Sequence, residues 1–252
     1  MPEVCLVVPC FNEVRRLDGD AFIRFLTDQP HCCVCFVDDG SVDGTAAVLD
    51  GLHARLPERV HVLKLPANVG KAEAVRQGVL HVHAPGRFAF VGYWDADLST
   101  PLAELRAMLA VFELNPDCVL AMGSRFGRLG SNFKRSRLRH ALGRMFVIAA
   151  GAILQLPVHD SQCGAKVVRA TVIELLFAEP FMSPWLFDVE LLARLRNHLG
   201  RHAVLRAVVE VPLQAWREVG GSKMSAAHMA AVPLGLLRIS RRYNKSDVRS
   251  QK

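Results

Sequence analysis

Short apolar runs alternate with longer periodic segments along the first half of the chain. The runs are rich in Val, Phe, Cys and Leu and are flanked by turn residues, which is typical of buried parallel strands. They are Val4–Pro9, Cys33–Val37, Val60–Leu65, Phe88–Tyr93 and Cys118–Met122. The periodic segments predict helices near residues 20–28, 43–56, 70–83 and 101–114. This order predicts an α/β fold with a mainly parallel sheet and helices on both of its faces.

The pattern changes beyond residue 124, where an arginine-rich stretch is followed by the apolar run Met145–Pro157. Further helical patterns follow, together with a strand predicted near residues 203–211. No linker or repeat interrupts the chain. We therefore expect one domain over residues 1–242 and a basic, disordered tail at residues 243–252.

Polar side chains follow three of the predicted strands. Pro9-Cys10-Phe11-Asn12-Glu13 follows the first strand, Asp38-Asp39-Gly40-Ser41 the second and Asp95-Ala96-Asp97 the fourth. In a parallel sheet these strand ends share one edge, and ligands bind there. One such segment alone is more often a helix cap, but three at the strand ends of one sheet indicate a ligand site.

Asp95 and Asp97 are spaced as a D-x-D pair. In an extended segment, residues two apart point the same way, so the two carboxylates are expected to repel each other unless a cation lies between them. Such a pair suits Mg²⁺ or Mn²⁺ bridging a diphosphate. The sequence therefore predicts metal ligands at both aspartates and a catalytic role for Asp97.

Composition narrows the classes of protein. Lys and Arg number 31 against 24 Asp and Glu, a net charge of +7, and 51% of the 252 residues are apolar. The high apolar fraction excludes a disordered chain, and the positive charge suits nucleic acid, anionic lipid or a phosphorylated substrate.

Seven irregularly spaced cysteines argue against a disulfide scaffold, and Cys32 and Cys35 are predicted to be core residues rather than a zinc site. Met145–Pro157 is too short to cross a bilayer as a helix, so the protein is expected to be soluble or peripheral.

Several motifs resemble those of the inverting family-two glycosyltransferases, which have the GT-A fold. They are P-C-F-N-E at Pro9–Glu13, V-D-D-G-S-V-D-G-T at Val37–Thr45, N-V-G-K-A-E-A-V at Asn68–Val75 and D-A-D-L-S-T-P at Asp95–Pro101. Later motifs resemble the dolichyl-phosphate β-glucosyltransferase branch and the related polyprenyl-phosphate hexose synthases. They are G-S-R at Gly123–Arg125, D-S-Q-C-G-A-K at Asp160–Lys166, W-L-F-D-V-E-L-L at Trp185–Leu192 and G-S-K-M at Gly221–Met224.

The resemblance implies a role for each matching residue. Residues 1–124 would bind the nucleotide, and residues 125–242 would face the acceptor and the membrane. Asp95 and Asp97 would hold the metal on the diphosphate, and Arg125 would meet the acceptor phosphate. The residues implied for binding the nucleotide and the sugar are Pro9, Asn12, Glu13, Asp39 and Lys71 for the nucleotide, and Asp160 and Gln162 for the sugar.

The charges near Arg125 favour a phosphate acceptor. A lipid phosphate is already an anion at neutral pH, whereas an alcohol acceptor needs a general base. Two negatively charged substrates need cations to bring them together, and the sequence supplies Arg125, Lys134, Arg135, Arg137 and Arg139. Asp160 is a candidate for a catalytic base or a sugar-positioning group, and a cap or turn residue is the alternative.

The basic stretch and the apolar run after it leave two interpretations open. Cations beside a short apolar segment suit a membrane interface, but Met145–Leu156 equally fits a buried core helix. Nucleic-acid binding prefers interleaved aromatic residues, and Phe126 and Phe133 are too few. We therefore expect a peripheral protein of the cytoplasmic membrane face with no nucleic-acid partner.

Taken together, the motifs predict a metal-dependent enzyme that transfers a hexose, with inversion, to a polyprenyl phosphate of the dolichyl type. The branch resemblance alone favours UDP-glucose as the donor. One alternative is a family-two glycosyltransferase acting on a soluble or protein acceptor. Another is a protein that binds a nucleotide sugar without turnover.

Overall fold

All five strands predicted from the hydrophobic pattern are present, with ends shifted by one or two residues. The computed structural model describes residues 3–125, 137–219 and 226–243, with the backbone alone at 137–145 and 226–230. The strands are β1 Val4–Cys10, β2 Cys32–Asp38, β3 Val60–Lys64, β4 Phe90–Trp94, β5 Leu120–Ser124, β6 Ala165–Arg169 and β7 Val208–Pro212. The helices are α1 Gly19–Asp28, α2 Thr45–Arg55, α3 Lys71–His83, α4 Leu105–Leu114, α5 Arg137–Leu154, α6 Ile173–Phe177, α7 Phe187–Leu199, α8 Arg201–Ala207 and α9 Ala226–Tyr243, with 3₁₀ turns at Leu102–Glu104 and Ala170–Val172.

The strands form one sheet in the order β3-β2-β1-β4-β6-β5-β7. Every pairing is parallel except those of β6 with β4 and β5. The mainly parallel sheet is therefore confirmed. The strand order reverses between β1 and β4, and open α/β sheets bind ligands in the crevice at such a switch point.

Helices cover both faces of the sheet, as predicted. Side chains alternate along β1, so Cys5 and Val7 belong to one core cluster while Leu6 and Val8 belong to the other. The first cluster contains buried residues of α3, α5, α6, α7 and α9. The second contains buried residues of α1, α2 and α4.

The strand predicted near residues 203–211 is wrong over its first part, because residues 201–207 form α8. Gly200, with φ 80°, ends α7 and precedes α8. Val204 and Ala207 are buried and lie three residues apart, which is the spacing of one helical face. The strand begins only at Val208.

The hydrophobic pattern does not predict β6, which contains the fully buried Lys166. Because β6 runs antiparallel to β4 and β5, its amino end lies at their carboxyl ends. Residues 160–164, which precede β6, are thereby brought to the edge of the sheet that carries the D-x-D pair.

The apolar run Met145–Pro157 falls within α5 and the turn after it. Ala150 and Leu154 are buried in the core, as the core-helix interpretation predicts for that side of the helix, whereas Ile148 is 68% exposed. In the part of the chain that the structure describes, no helix is long and apolar enough to cross a membrane.

The seven cysteines are buried and form no disulfide. Burial raises the pKa of Cys32 to about 11 and that of Cys35 to about 12, so both thiols stay protonated at neutral pH. Protonated thiols are poor nucleophiles and poor metal ligands. The prediction that Cys32 and Cys35 are core residues is confirmed.

Candidate active site

A cavity of about 530 Å³ opens at the carboxyl ends of β1, β2 and β4. This is the edge at which the strand-end motifs predict a ligand site. Sequence-predicted site residues that line it are Pro9, Asn12, Glu13, Asp39, Lys71, Asp95 and Asp97. Gly70, which precedes Lys71, lines it as well, and sequence reasoning missed Arg16, Asn68, Trp185 and Val219, which also line it.

The turn after β1 is fixed to the turn after β2 by Asn12 and Glu13. The Asn12 side-chain oxygen accepts the Val42 N–H at 2.9 Å, and the Asn12 N–H donates to the Ser41 hydroxyl at 3.0 Å. The Glu13 N–H donates to the Thr45 hydroxyl at 2.8 Å. These bonds give the cavity a wall whose shape is set before a ligand enters.

Glu13 is buried and paired with Arg16. The guanidinium donates from Nε to Oε2 at 2.8 Å and from Nη2 to Oε1 at 2.6 Å. These hydrogen bonds raise the pKa of Arg16, so a fixed positive charge lies at the cavity wall. The pair lies in the turn after β1, where the Arg16 N–H also donates to the Glu13 carbonyl at 2.9 Å.

Asp39 shapes the loop that leads into α3. Its carboxylate accepts the N–H groups of Val69 at 2.7 Å and Gly70 at 3.0 Å. Gly70 has φ 87°, a conformation that residues with a side chain rarely adopt. Lys71 therefore begins α3 at a fixed position on the cavity wall.

Lys71 forms an ion pair with Asp95 inside the cavity. The distance from Nζ to Oδ1 is 2.5 Å, and each side chain is about a third exposed, at 31% and 33%. Burial lowers the pKa of Lys71, but the charges of Asp95 and Asp188 outweigh it and the net pKa is raised. The ammonium is thus charged at neutral pH.

The D-x-D pair lies in a turn, which corrects the expectation of an extended segment. Leu98 adopts φ 51°, and its N–H donates to the Asp95 carbonyl at 3.2 Å. Asp97 Oδ1 accepts the Ser99 N–H at 2.9 Å and the Ser99 hydroxyl. Both carboxylates nevertheless line the cavity, because the turn rather than strand alternation presents them there.

The backbone of Gly164 contacts both the backbone and the carboxylate of Asp95. The Asp95 N–H donates to the Gly164 carbonyl at 3.0 Å. A β-carbon added to Gly164 would lie 1.8 Å from Asp95 Oδ2, so only glycine fits beside this carboxylate. The motif D-S-Q-C-G-A-K thus contacts the D-x-D pair directly.

A buried charged cluster lies behind the cavity. Asp188 Oδ1 accepts bonds from the Tyr93 hydroxyl at 2.5 Å and from Lys166 Nζ at 2.7 Å. Lys166 also donates to the Cys163 carbonyl at 2.6 Å. Sequence reasoning assigned no role to these residues, although Lys166 and Asp188 fall within the motifs that carry the resemblance.

Arg125 and Asp160 are paired with each other. Asp160 Oδ2 accepts from the Arg125 backbone N–H at 2.8 Å and from Nε at 2.7 Å, and Oδ1 accepts from Nη2 at 2.7 Å. Burial raises the pKa of Asp160, but its bonds to Arg125 outweigh this and the net pKa is lowered. The Arg125 guanidinium also lies 5.8 Å from the centre of the Trp216 ring.

Glu210, at β7, fixes the backbone beside Asp160 and was missed from the sequence. Its carboxylate accepts the N–H groups of His159 at 2.9 Å and Asp160 at 2.7 Å. It also lies 2.8 Å from His159 Nδ1. Strand β7 therefore positions the acid that holds Arg125.

The remaining predicted residues are placed only in part. The Gln162 amide donates to the carbonyl of Trp185 at 2.9 Å, which ties it to the cavity wall. Arg137 and Arg139 begin α5, where the backbone alone is described. Lys134 and Arg135 lie outside the described residues, as do the G-S-K-M motif and residues 244–252.

Residues 5–177 match glycosyl transferase family 2, and the chain belongs to this family. It is 32% identical to dolichyl-phosphate beta-glucosyltransferase of Drosophila melanogaster over 88% of this chain and 69% of that protein. It is 30% identical to polyprenol monophosphomannose synthase of Mycolicibacterium smegmatis over 89% of this chain and 82% of that protein. The resemblance predicted from the motifs is confirmed, and the protein is a glycosyltransferase.

The fold also matches a solved structure. Glucosyl-3-phosphoglycerate synthase from Mycobacterium tuberculosis, crystallised with Mn²⁺, UDP-glucose and phosphoglyceric acid, has a TM-score of 0.65 to this protein. The match covers 95% of this chain and 80% of that chain, at 20% identity. This likeness shows the shared GT-A fold.

Proposed function

We propose that the protein transfers glucose from UDP-glucose, with inversion, to a polyprenyl phosphate. The observation that carries the proposal is the cavity in which an acidic pair, Asp95 and Asp97, faces the motif residues that follow β1 and β2. Relatives named for transfer to dolichyl phosphate and for polyprenol monophosphomannose synthesis support the lipid acceptor.

The acidic pair fits a divalent cation such as Mg²⁺ or Mn²⁺. In the described residues, no third His, Cys, Asp or Glu joins the two carboxylates as a cluster. Mg²⁺ is typically held by one or two carboxylates together with substrate phosphates and water. When bound, the cation neutralises the charge of the departing nucleoside diphosphate.

The residues around the pair would position the donor. The turns fixed by Asn12, Glu13 and Asp39 would hold the base and ribose, with Pro9 beside them. The amino end of α3 and the ammonium of Lys71 would bind the diphosphate, because helix amino termini favour anions. Trp185, tied to Gln162, would cover the hexose.

The pairing of Arg125 with Asp160 favours a phosphate acceptor over an alcohol. Both carboxylate oxygens of Asp160 already accept hydrogen bonds from Arg125, which makes this acid a poor general base. An acceptor phosphate needs no base, since it is an anion at neutral pH. Asp160 would instead orient Arg125, whose remaining N–H groups would bind the phosphate.

Arg125→Ala is expected to lower kcat/KM for polyprenyl phosphate by about tenfold to a hundredfold, the value of a hydrogen bond to a charged group. UDP affinity should stay close to that of the wild type, because Asp39, Lys71 and the D-x-D pair are untouched. Transfer kinetics with varied acceptor, together with calorimetric titration of UDP, measure the two effects.

Arg76→Ala is the matched control for that variant. Arg76 forms the same two-bond pair with Glu73, at 2.7 Å for each bond, outside the cavity. Both substitutions remove the guanidinium bonded to a carboxylate, but only Arg125→Ala should change acceptor kinetics. If Arg125→Ala lost UDP affinity by as much as it lost kcat/KM for the acceptor, Arg125 would be assigned to the donor site instead.

We propose further that the enzyme binds membranes peripherally, since a polyprenyl phosphate keeps its chain in the bilayer. Exposed apolar side chains on two helices support this proposal. Among them are Ile148 of α5 and Leu234 and Leu237 of α9. The exposed Arg238 and Arg241 lie on α9 as well. Cations beside partly inserted apolar residues bind anionic headgroups.

Replacing Lys134, Arg135, Arg137 and Arg139 together with serine is expected to release the protein from anionic vesicles. Each cation contributes on the order of 1 kcal/mol near an anionic leaflet, so their combined loss is large. Liposome flotation at low and high salt measures it. Serine at Arg24, Arg55, Lys64 and Arg106 removes the same charge elsewhere and should leave binding intact. A wild type that never floats would contradict membrane docking.

A donor and acceptor screen tests the proposed reaction. Labelled UDP-glucose and GDP-mannose are each incubated with Mn²⁺ and a short polyprenyl phosphate, and the lipid product is separated. We expect glucose to be transferred from UDP-glucose to the lipid, and excess chelator to stop transfer. Transfer only to a soluble or protein acceptor would overturn the lipid assignment, and binding without turnover would overturn the enzymatic one.

A further inference from the structure

The ion pair of Lys71 and Asp95 places a cation on one of the two acids proposed to bind metal. Lys71 Nζ lies 2.5 Å from Asp95 Oδ1, within the cavity. An ammonium at this distance binds one of the two oxygens of the carboxylate that a divalent cation at Asp95 would use. Two cations cannot share that position, because like charges so close repel.

The position of Lys71 is built into the fold from two directions. Asp39 accepts the N–H groups of Val69 and Gly70 and so fixes the residue at which α3 begins. Behind the cavity, Asp188 is held through Oδ1 by Tyr93 and Lys166 and adds its negative charge to the surroundings of Lys71. The lysine therefore reaches Asp95 without any ligand.

We propose that Lys71 is the resident counter-ion of Asp95 and competes with the divalent metal for it. This inference rests on the proposed function, in which Asp95 and Asp97 hold the metal on a diphosphate. Without nucleotide, the metal must displace the ammonium from Asp95. With nucleotide, the diphosphate receives the ammonium and frees Asp95. Metal and nucleotide then strengthen each other's binding, and this coupling is reciprocal.

Binding of Mn²⁺ alone tests the inference without any turnover. Free Mn²⁺ is measured by electron paramagnetic resonance with and without UDP, for the wild type, Lys71→Met and Lys64→Met. Lys64 is the matched control, because it forms an ion pair with Asp50 at 2.7 Å outside the cavity. UDP should tighten Mn²⁺ binding by wild type about tenfold or more.

Lys71→Met should bind Mn²⁺ without UDP about tenfold more tightly than the wild type, because the competing charge is gone. It should also lose most of the enhancement by UDP. Lys71→Gln, which keeps a hydrogen-bond donor without the charge, should change Mn²⁺ affinity in the same direction. Lys64→Met should behave as the wild type.

Two failures are distinguishable. A wild type that takes up no Mn²⁺ even with UDP would overturn the proposed metal site, and the inference with it. A wild type that binds Mn²⁺ with UDP, while both Lys71 variants keep wild-type or weaker affinity for Mn²⁺ alone, would overturn the inference only. A melting curve for each variant shows that the fold is retained in the comparison.

Discussion

Asp97→Asn is expected to reduce hexose transfer on the order of a thousandfold while the protein stays folded, because metal stabilisation of a leaving group is worth several kcal/mol. Asparagine keeps the side-chain oxygen that accepts the Ser99 N–H at 2.9 Å, so the turn is preserved. Only the negative charge is lost. Initial rates at saturating donor and acceptor, over a range of Mn²⁺ concentrations, measure the effect.

Asp43→Asn is the control for the geometry of that turn. Asp43 Oδ1 accepts the N–H of Thr45 at 3.1 Å and its hydroxyl at 2.5 Å, the same pair of bonds that Asp97 receives from Ser99. Asp43 is exposed and does not line the cavity. Its variant should transfer hexose at the wild-type rate. Wild-type rates for Asp97→Asn at limiting Mn²⁺ would remove Asp97 from the metal site.

Gly164→Ala is expected to reduce transfer by about a hundredfold, the effect of displacing a catalytic group by about 1 Å. The added β-carbon would lie 1.8 Å from Asp95 Oδ2, so this carboxylate must move. The φ of Gly164 is not in the left-handed region, and alanine is therefore tolerated by the backbone itself. We expect a loss of Mn²⁺ affinity in the presence of UDP, together with the loss of rate.

Gly51→Ala makes the same substitution in open space. Gly51 lies within α2, and no atom is within 4 Å of an added β-carbon. Alanine should raise the stability of this helix by about 0.5–1 kcal/mol and leave transfer unchanged. If Gly164→Ala kept both the Mn²⁺ affinity and the transfer rate of the wild type, the contact of Gly164 with Asp95 would not be required for transfer.

The sequence predicts the position of the cavity at the carboxyl ends of β1, β2 and β4 well, because general rules of parallel sheets apply there. Short apolar runs identify β1, β2 and β4. Because the carboxyl ends of parallel strands lie at one edge of a sheet, Asn12, Asp39 and Asp95 are then expected to lie close together. The expectation that an extended segment orients the D-x-D pair is nevertheless wrong. A leucine at φ 51° makes a turn after Asp97, and no hydrophobic pattern encodes that conformation.

The second half was harder to predict because its signals are not local. β6 has only five residues, and its second residue is a buried lysine. That lysine is tolerated because Asp188, 22 residues later, accepts its hydrogen bond. The pairing of Arg125 with Asp160 likewise joins residues 35 apart, and each residue alone suggests a separate role.

The place of β6 between β4 and β5 makes the active site a late product of protein synthesis. β1 to β4 pair with one another, so this part of the sheet is able to assemble early. In the described sheet, β5 pairs only with β6 and β7 and must wait for them. Gly164 emerges just before β6, and until then Asp95 lacks the backbone that holds it. A ribosome-bound chain that ends before β6 therefore carries the D-x-D pair without the backbone that holds Asp95, and this contact forms only once the second half has folded onto the first.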